Sequence, residues 1–146
     1  MRHARSWGDD GSASIEFIAA GLLLLVPLTY LVIALSSVQA AALAVEGASR
    51  HAVRVFVQAP GEDRAFARAT RAVEFASADA KLTEPVTTRV RCAPVPANCL
   101  LAGSRVTVIV STRIPLPFVP DLFDLRRFAN IPISARSTEV VSRFHS

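Results

Sequence analysis

"GSASIEFIAAGLLLLVPLTYLVIALSSVQAAALAV", Gly11 to Val45, sets the architecture of this 146-residue chain. From Phe17 through Val45 no residue is charged, and the position just ahead of that run is the acid Glu16. As a helix the charge-free run extends ~43 Å at ~1.5 Å per residue, more than the ~30 Å hydrocarbon core of a bilayer. The stretch therefore reads as a membrane span with helix to spare. Its first half, Phe17 to Leu35, is bulky and suits lipid, and Pro27 within it predicts a kink or one loosened turn, which membrane helices tolerate. The second half is built of small residues: Ser36, Ala40, Ala44 and Ala48 recur every fourth position, with Ser37 and Ala41 beside them. That spacing predicts a smooth face on which another element lies close.

Past the span, Val45, Ala52, Val53 and Phe56 carry an apolar stripe as far as "APG", Ala59 to Gly61, where a helix stops. One helix from near Ser14 to Gln58 is expected, its first part in lipid and its second part in a domain core. About a hundred residues remain, enough for one small domain. "EDRAFARATRAVEFASADAK" places Glu62 and Asp63 where they complement a helix dipole and Phe66, Ala69, Val73, Ala76 and Ala80 on one face. From Pro85 the period becomes two. Val86, Thr88, Val90 and Cys92 alternate with Thr87, Arg89 and Arg91, and Val106, Val108 and Val110 with Arg105, Thr107, Ser111 and Arg113. These are half-buried antiparallel strands joined by a cysteine loop, with Ile131 to Val141 as a third candidate. Pro115, Pro117 and Pro120 keep the connection between them out of the sheet, and its Phe118, Leu122, Phe123, Leu125 and Phe128 are expected to tuck onto the core, or else to form a contact patch for a neighbour. The expected fold class is α+β: a long N-terminal transmembrane helix continuing into a small domain with a second amphipathic helix and a three- to four-stranded antiparallel sheet.

Cys92 and Cys99 in "RCAPVPANC" form no CxxC and lack histidines to complete a zinc site. A disulfide closing a short loop is favoured over two free thiols, and it would place this part of the chain outside a reducing compartment. Catalytic motifs are absent: no GxSxG, P-loop, Gly-rich dinucleotide turn or HExxH occurs. His3, His51 and His145 have no ligand spacing, and Asp9/Asp10, Glu62/Asp63 and Asp121/Asp124 suit helix starts or solvated turns. Neither an enzyme, nor a cofactor, nor a metal, nor a small-molecule substrate is expected. The net charge is +4 with a pI near 10, but the cations are spread along the sequence and all but Lys81 are Arg. A nucleic-acid partner is accordingly not expected.

The residues at the start carry a resemblance. Gly11, four residues, Glu16, the aromatic Phe17 and then the apolar run resemble the precursors of type IV pilin-like proteins, and most closely the TadE-like pseudopilins of tight-adherence (Flp) pilus systems. The resemblance implies a cytoplasmic leader, residues 1–11, removed by a membrane prepilin peptidase between Gly11 and Ser12. It further implies a transmembrane helix over 12–40, an exported α+β domain over 41–146 and a pilin-like fold. Ser12 becomes the new N-terminus and Glu16 the acid that sets helix register, with Phe17 beside it. A free ammonium at Ser12 gives the carboxylate a partner, since neither charge enters lipid cheaply alone. The implied function is a minor pseudopilin or assembly subunit of the pilus. Its partners are the membrane, the prepilin peptidase, other pilin-like subunits and platform proteins, with the N-terminus cytoplasmic and the C-terminal domain extracellular or facing the envelope.

Three other readings compete. Glu16 is, on one, an ordinary interfacial acid at a helix start. On another, Arg2 and Arg5 begin a secretory signal cut after "VQA", Val38 to Ala40, although the apolar run is long for that purpose. With its span retained and no link to a filament, the chain is instead a stand-alone membrane-anchored envelope binding module. On the third, an exported DNA-binding pseudopilin uses Arg89, Arg91, Arg105 and Arg113 on one outward sheet face.

Overall fold

A computed structural model describes residues 12–117, 119 and 129–144. The leader with Gly11, the apolar connection from Phe118 and Pro120 through Phe128, and the terminal His145 lie outside the described residues. The chain is α+β, with two helices, α1 (Ser12–Val57) and α2 (Glu62–Asp79), and three strands, β1 (Thr87–Ala93), β2 (Arg105–Pro115) and β3 (Asn130–Val140). It divides into two compact units, one ending at Leu35 and one starting at Ser36.

In the first unit the described residues form the opening turns of α1. Thirteen large apolar side chains between Ile15 and Leu35 stand exposed, among them Phe17 at 81% and Leu23 at 78%. This helix is long and apolar enough to cross a membrane. Pro27 lies inside it without ending it, although its missing N–H deprives the Leu23 carbonyl of the usual partner. Two residues on, the Thr29 hydroxyl donates to the Leu25 carbonyl at 2.8 Å, so a polar side chain is satisfied within the helix itself, as hydrocarbon requires.

In the second unit, α1 turns from a surface into a core element. Ala41, Val45, Ala48, Ser49, Ala52, Val53, Phe56 and Val57 are buried, a stripe at alternating three- and four-residue intervals. The every-fourth series beginning at Ser36 is not this stripe: Ser36 and Ala40 are exposed, Ala44 is half-buried and only Ala48 is buried. At ~100° per residue a strict four-residue step drifts ~40° round the helix, so the series spirals off any one face. Pro60 ends α1, with the Ala59 N–H donating to the Phe56 carbonyl.

Helix α2 carries Glu62 and Asp63 in its first turn and buries Ala65, Ala69, Ala72 and Val73. The expected face is rotated by about one position: Phe66 is 44% exposed and Ala80 is exposed, because the register that admits the small side chains leaves the larger ring at the rim. There the Phe66 ring meets Phe56 edge to face, with centroids 5.1 Å apart. The helix closes in a Schellman arrangement. Leu82 N–H donates to Ser77 O, Lys81 N–H donates to Ala78 O, and Lys81 itself adopts φ 52°, a conformation usually left to glycine.

The sheet is antiparallel in the order β1-β2-β3, with β2 central. The register aligns Cys92, Val106 and Glu139, then Val90, Val108 and Ser137, then Thr88, Val110 and Ala135 on the inner face. Val106, Val108 and Val110 are fully buried and join Val45, Ala52, Val53, Phe56, Ala69 and Val73 in one core. The two helices thus cover a single face of the sheet. A partly buried polar link crosses this layer: the Ser49 and Ser137 hydroxyls lie 2.8 Å apart, and Ser49 also donates to the Glu46 carbonyl. Past the strand ends, Gly103 at φ 80° lets the chain turn so that Gly103 and Ser104 bond Val141.

Candidate functional site

Three regions bear on function. The first is the start of α1. Ser12 is its first residue, and Glu16, its fifth, is exposed beside Phe17 and Ile15. Among the described residues the ion pair is Arg50 with Glu46, and Glu16 forms none with them. Without an ion partner among the described residues, a carboxylate at the threshold of a surface suited to lipid needs water, headgroups or a cation to offset its charge.

The second is the cysteine loop. Cys92 and Cys99 are joined by a disulfide, with Cα atoms 5.1 Å apart. Cys99 is buried in the core and Cys92 is half-buried on the inner side of β1, so the bridge fastens the loop to the sheet. The Cys99 N–H donates to the Glu62 carboxylate, which ties the same loop to the first turn of α2. Sequence reading missed this link, because nothing in the spacing of Glu62 and Cys99 connects a helix start to a distant loop.

The third is the outer face of the sheet. Strand alternation turns Arg89 and Arg91 of β1, Arg105 and Arg113 of β2 and Arg136 of β3 away from the helices, and all five are exposed. The register sets Arg89 and Arg136 on either side of Ile109, Arg105 opposite Ala93 and Val140, and Arg113 opposite Pro132. Thr87, Thr107, Ser111, Ser134 and Thr138 fill positions between them, with the Thr107 and Thr138 hydroxyls 2.8 Å apart. Four of these arginines were assigned one outward face from sequence; Arg136 was not. Its signal was present in the alternation of Ile131, Ile133 and Ala135, which sends Arg136 outward.

Among the described residues no group of three or more His, Cys, Asp or Glu side chains is placed to hold a metal. His51 is exposed on α1, at a shallow groove it shares with Arg50, Arg54, Ser137 and Glu139. No protein-family model, no curated protein and no solved structure matches the chain.

Proposed function

We propose that this protein is a non-enzymatic, membrane-anchored subunit of the pseudopilin type, resembling the TadE-like subunits of tight-adherence pili, and that it works by packing its long helix against other helices of that kind. The observation that carries the reading is the build of α1. One helix, described from Ser12 onward, holds Glu16 as the sole charge of its described residues before Val45, exposes lipid-grade side chains to Leu35 and then supplies the core of the α+β unit. A pilin-like fold needs such a helix to serve two solvents in turn.

The disulfide supports an oxidising location for the sheet-bearing unit, so the leader stays in the cytoplasm and residues from 41 onward face the envelope or the exterior. Transfer of the exposed apolar side chains into hydrocarbon at ~1.5 kcal/mol or more for each large residue gives a strong anchor. Cleavage after Gly11 creates an ammonium at Ser12, and pairing it with Glu16, within a subunit or between neighbours, offsets two charges that lipid alone would not accept. The pair sets axial register because a one-turn slip, ~5.4 Å, separates the charges.

N-terminal sequencing of the protein from membranes tests the reading. The mature chain begins at Ser12, and Gly11→Ala leaves the precursor uncut. A chain starting at Ala41 assigns the segment to a secretory signal, while an uncut chain in wild-type cells leaves a stand-alone anchored module. Glu16→Ala is still cut but loses crosslinking to partner helices; full crosslinking removes the register role.

A further inference from the structure

We propose that the outward face of the sheet is a binding surface for duplex DNA, held through its phosphate backbone without regard to base sequence. The arginines that are scattered along the sequence, from Arg89 to Arg136, are gathered by strand register onto this one surface. None of the outward positions of the three strands is Asp or Glu; the one acid in β3, Glu139, is on the inner row opposite Val106. The five charges exceed the net +4 of the whole chain, so the remaining charges nearly balance, while this face carries cations with no acid among them.

Such an arrangement disfavours the free protein. Arg89 and Arg91 are two residues apart on one strand, ~6.8 Å, and Arg136 lies two strands away at ~10 Å, all within about one Debye length at moderate salt. Like charges so placed repel, and among the described residues none of the five forms an ion pair. A polyanion relieves that repulsion. Guanidinium groups suit phosphate because their forked donors match its oxygens, and the interleaved threonine and serine hydroxyls add neutral donors of the kind that contact DNA backbones.

The dimensions fit a duplex. Arg105 and Arg113, eight residues apart on β2, span ~27 Å, a length over which duplex DNA presents about 16 phosphates. A single strand is the poorer occupant, because the outward positions carry no aromatic side chain on which bases could stack. A bilayer surface is poorer also, since surface-binding patches pair their cations with large apolar or aromatic residues, and Ile109 and Val140 are the only large aliphatic side chains here. Of the usual base readers the outward residues offer no Gln and a single Asn, Asn130, at the strand end, which leaves arginine, a side chain that serves the phosphates equally well. The proposal does not depend on the pilus reading.

The test is fluorescence anisotropy of a 20-base-pair duplex with the full chain in non-ionic detergent, titrated at several salt concentrations. With five phosphate contacts the log–log slope is about −4.5, so affinity falls ~500-fold between 50 and 200 mM salt. Arg89→Gln with Arg136→Gln lowers the slope to about −2.7, a ~40-fold loss over the same range, and the double Arg→Lys variant restores most of it. Arg64→Gln with Arg68→Gln on α2 leaves both affinity and slope unchanged. Retention of the disulfide and of the wild-type urea midpoint confirms that the variants fold. Absence of binding at 50 mM salt overturns the proposal, as does equal loss from the α2 pair, which would mark a mere net-charge effect. Tighter binding to a 20-nucleotide single strand, or binding to phosphatidylserine vesicles without binding to duplex, assigns the face to another ligand and also overturns it.

Discussion

Among the described residues Phe56 is the largest fully buried side chain of the core, and it lies near the end of α1, so its removal tests whether the helix that carries a lipid-grade surface also holds the domain together. Phe56→Ala costs about 4 kcal/mol, the middle of the usual range for a buried aromatic. A domain of this size is stable by about 5–15 kcal/mol, so the loss is a large fraction of the whole. Phe66 touches the same ring but is 44% exposed, and Phe66→Ala costs about 1.5 kcal/mol because roughly half of its transfer energy was never gained. The edge-to-face contact makes the two effects non-additive by about 0.5–1.5 kcal/mol, with the double variant less damaged than the singles sum to. Pulse proteolysis in urea, on the full chain in non-ionic micelles, reads the domain without needing α1 to melt in the micelle. At a slope near 2 kcal/mol per molar, Phe56→Ala lowers the midpoint by about 2 M and Phe66→Ala by less than 1 M. Equal shifts from the two variants, or a shift under about 0.5 M from Phe56→Ala, would refute the argument that α1 is the central core element.

Two further outcomes follow from the loop and the helix end. Replacing Cys92 and Cys99 together by Ala removes a crosslink between residues seven apart, and the loop-entropy relation puts the cost at about 2.5 kcal/mol, a urea midpoint lower by about 1 M; an unchanged midpoint would show that the bridge adds nothing to the native loop. Lys81→Gly relieves the left-handed backbone at the Schellman closure of α2 and raises stability by about 0.5–1 kcal/mol, whereas Lys81→Val lowers it. Denaturation of both variants side by side checks the sign, and a destabilising glycine would count against the strain.

Much of the fold was legible because it rests on local rules. The charge-free run, the two-residue period of β1 and β2, the acids at the start of α2 and the closely spaced cysteines each report short-range geometry, and the structure has a helix, strands, a helix and a disulfide at those places. Where the reading went astray, angular phase was at fault. The four-residue series from Ser36 named a face that the helix does not keep, and Phe66 was set in the core when Ala65 and Ala72 take that place. Composition fixes that a helix has an apolar side; which few tens of degrees of it are buried depends on the partner it meets.

The outward arginines show the same division on a larger scale. Sequence alone determined that Arg89, Arg91, Arg105 and Arg113 alternate against apolar neighbours, since side chains on a strand point to opposite sides in turn. Their reading as dispersed charge was correct along the chain. Tertiary structure decided that they share a surface with Arg136, because only strand pairing brings residues dozens of positions apart, such as Arg89 and Arg136, to within ~10 Å of each other. The start of α1 is the reverse case. Glu16 and the apolar run after it are set by covalent order on a single helix, so the sequence determined that threshold without help from any distant contact, whereas the link from Glu62 to Cys99 exists only because folding brings α2 and the cysteine loop together.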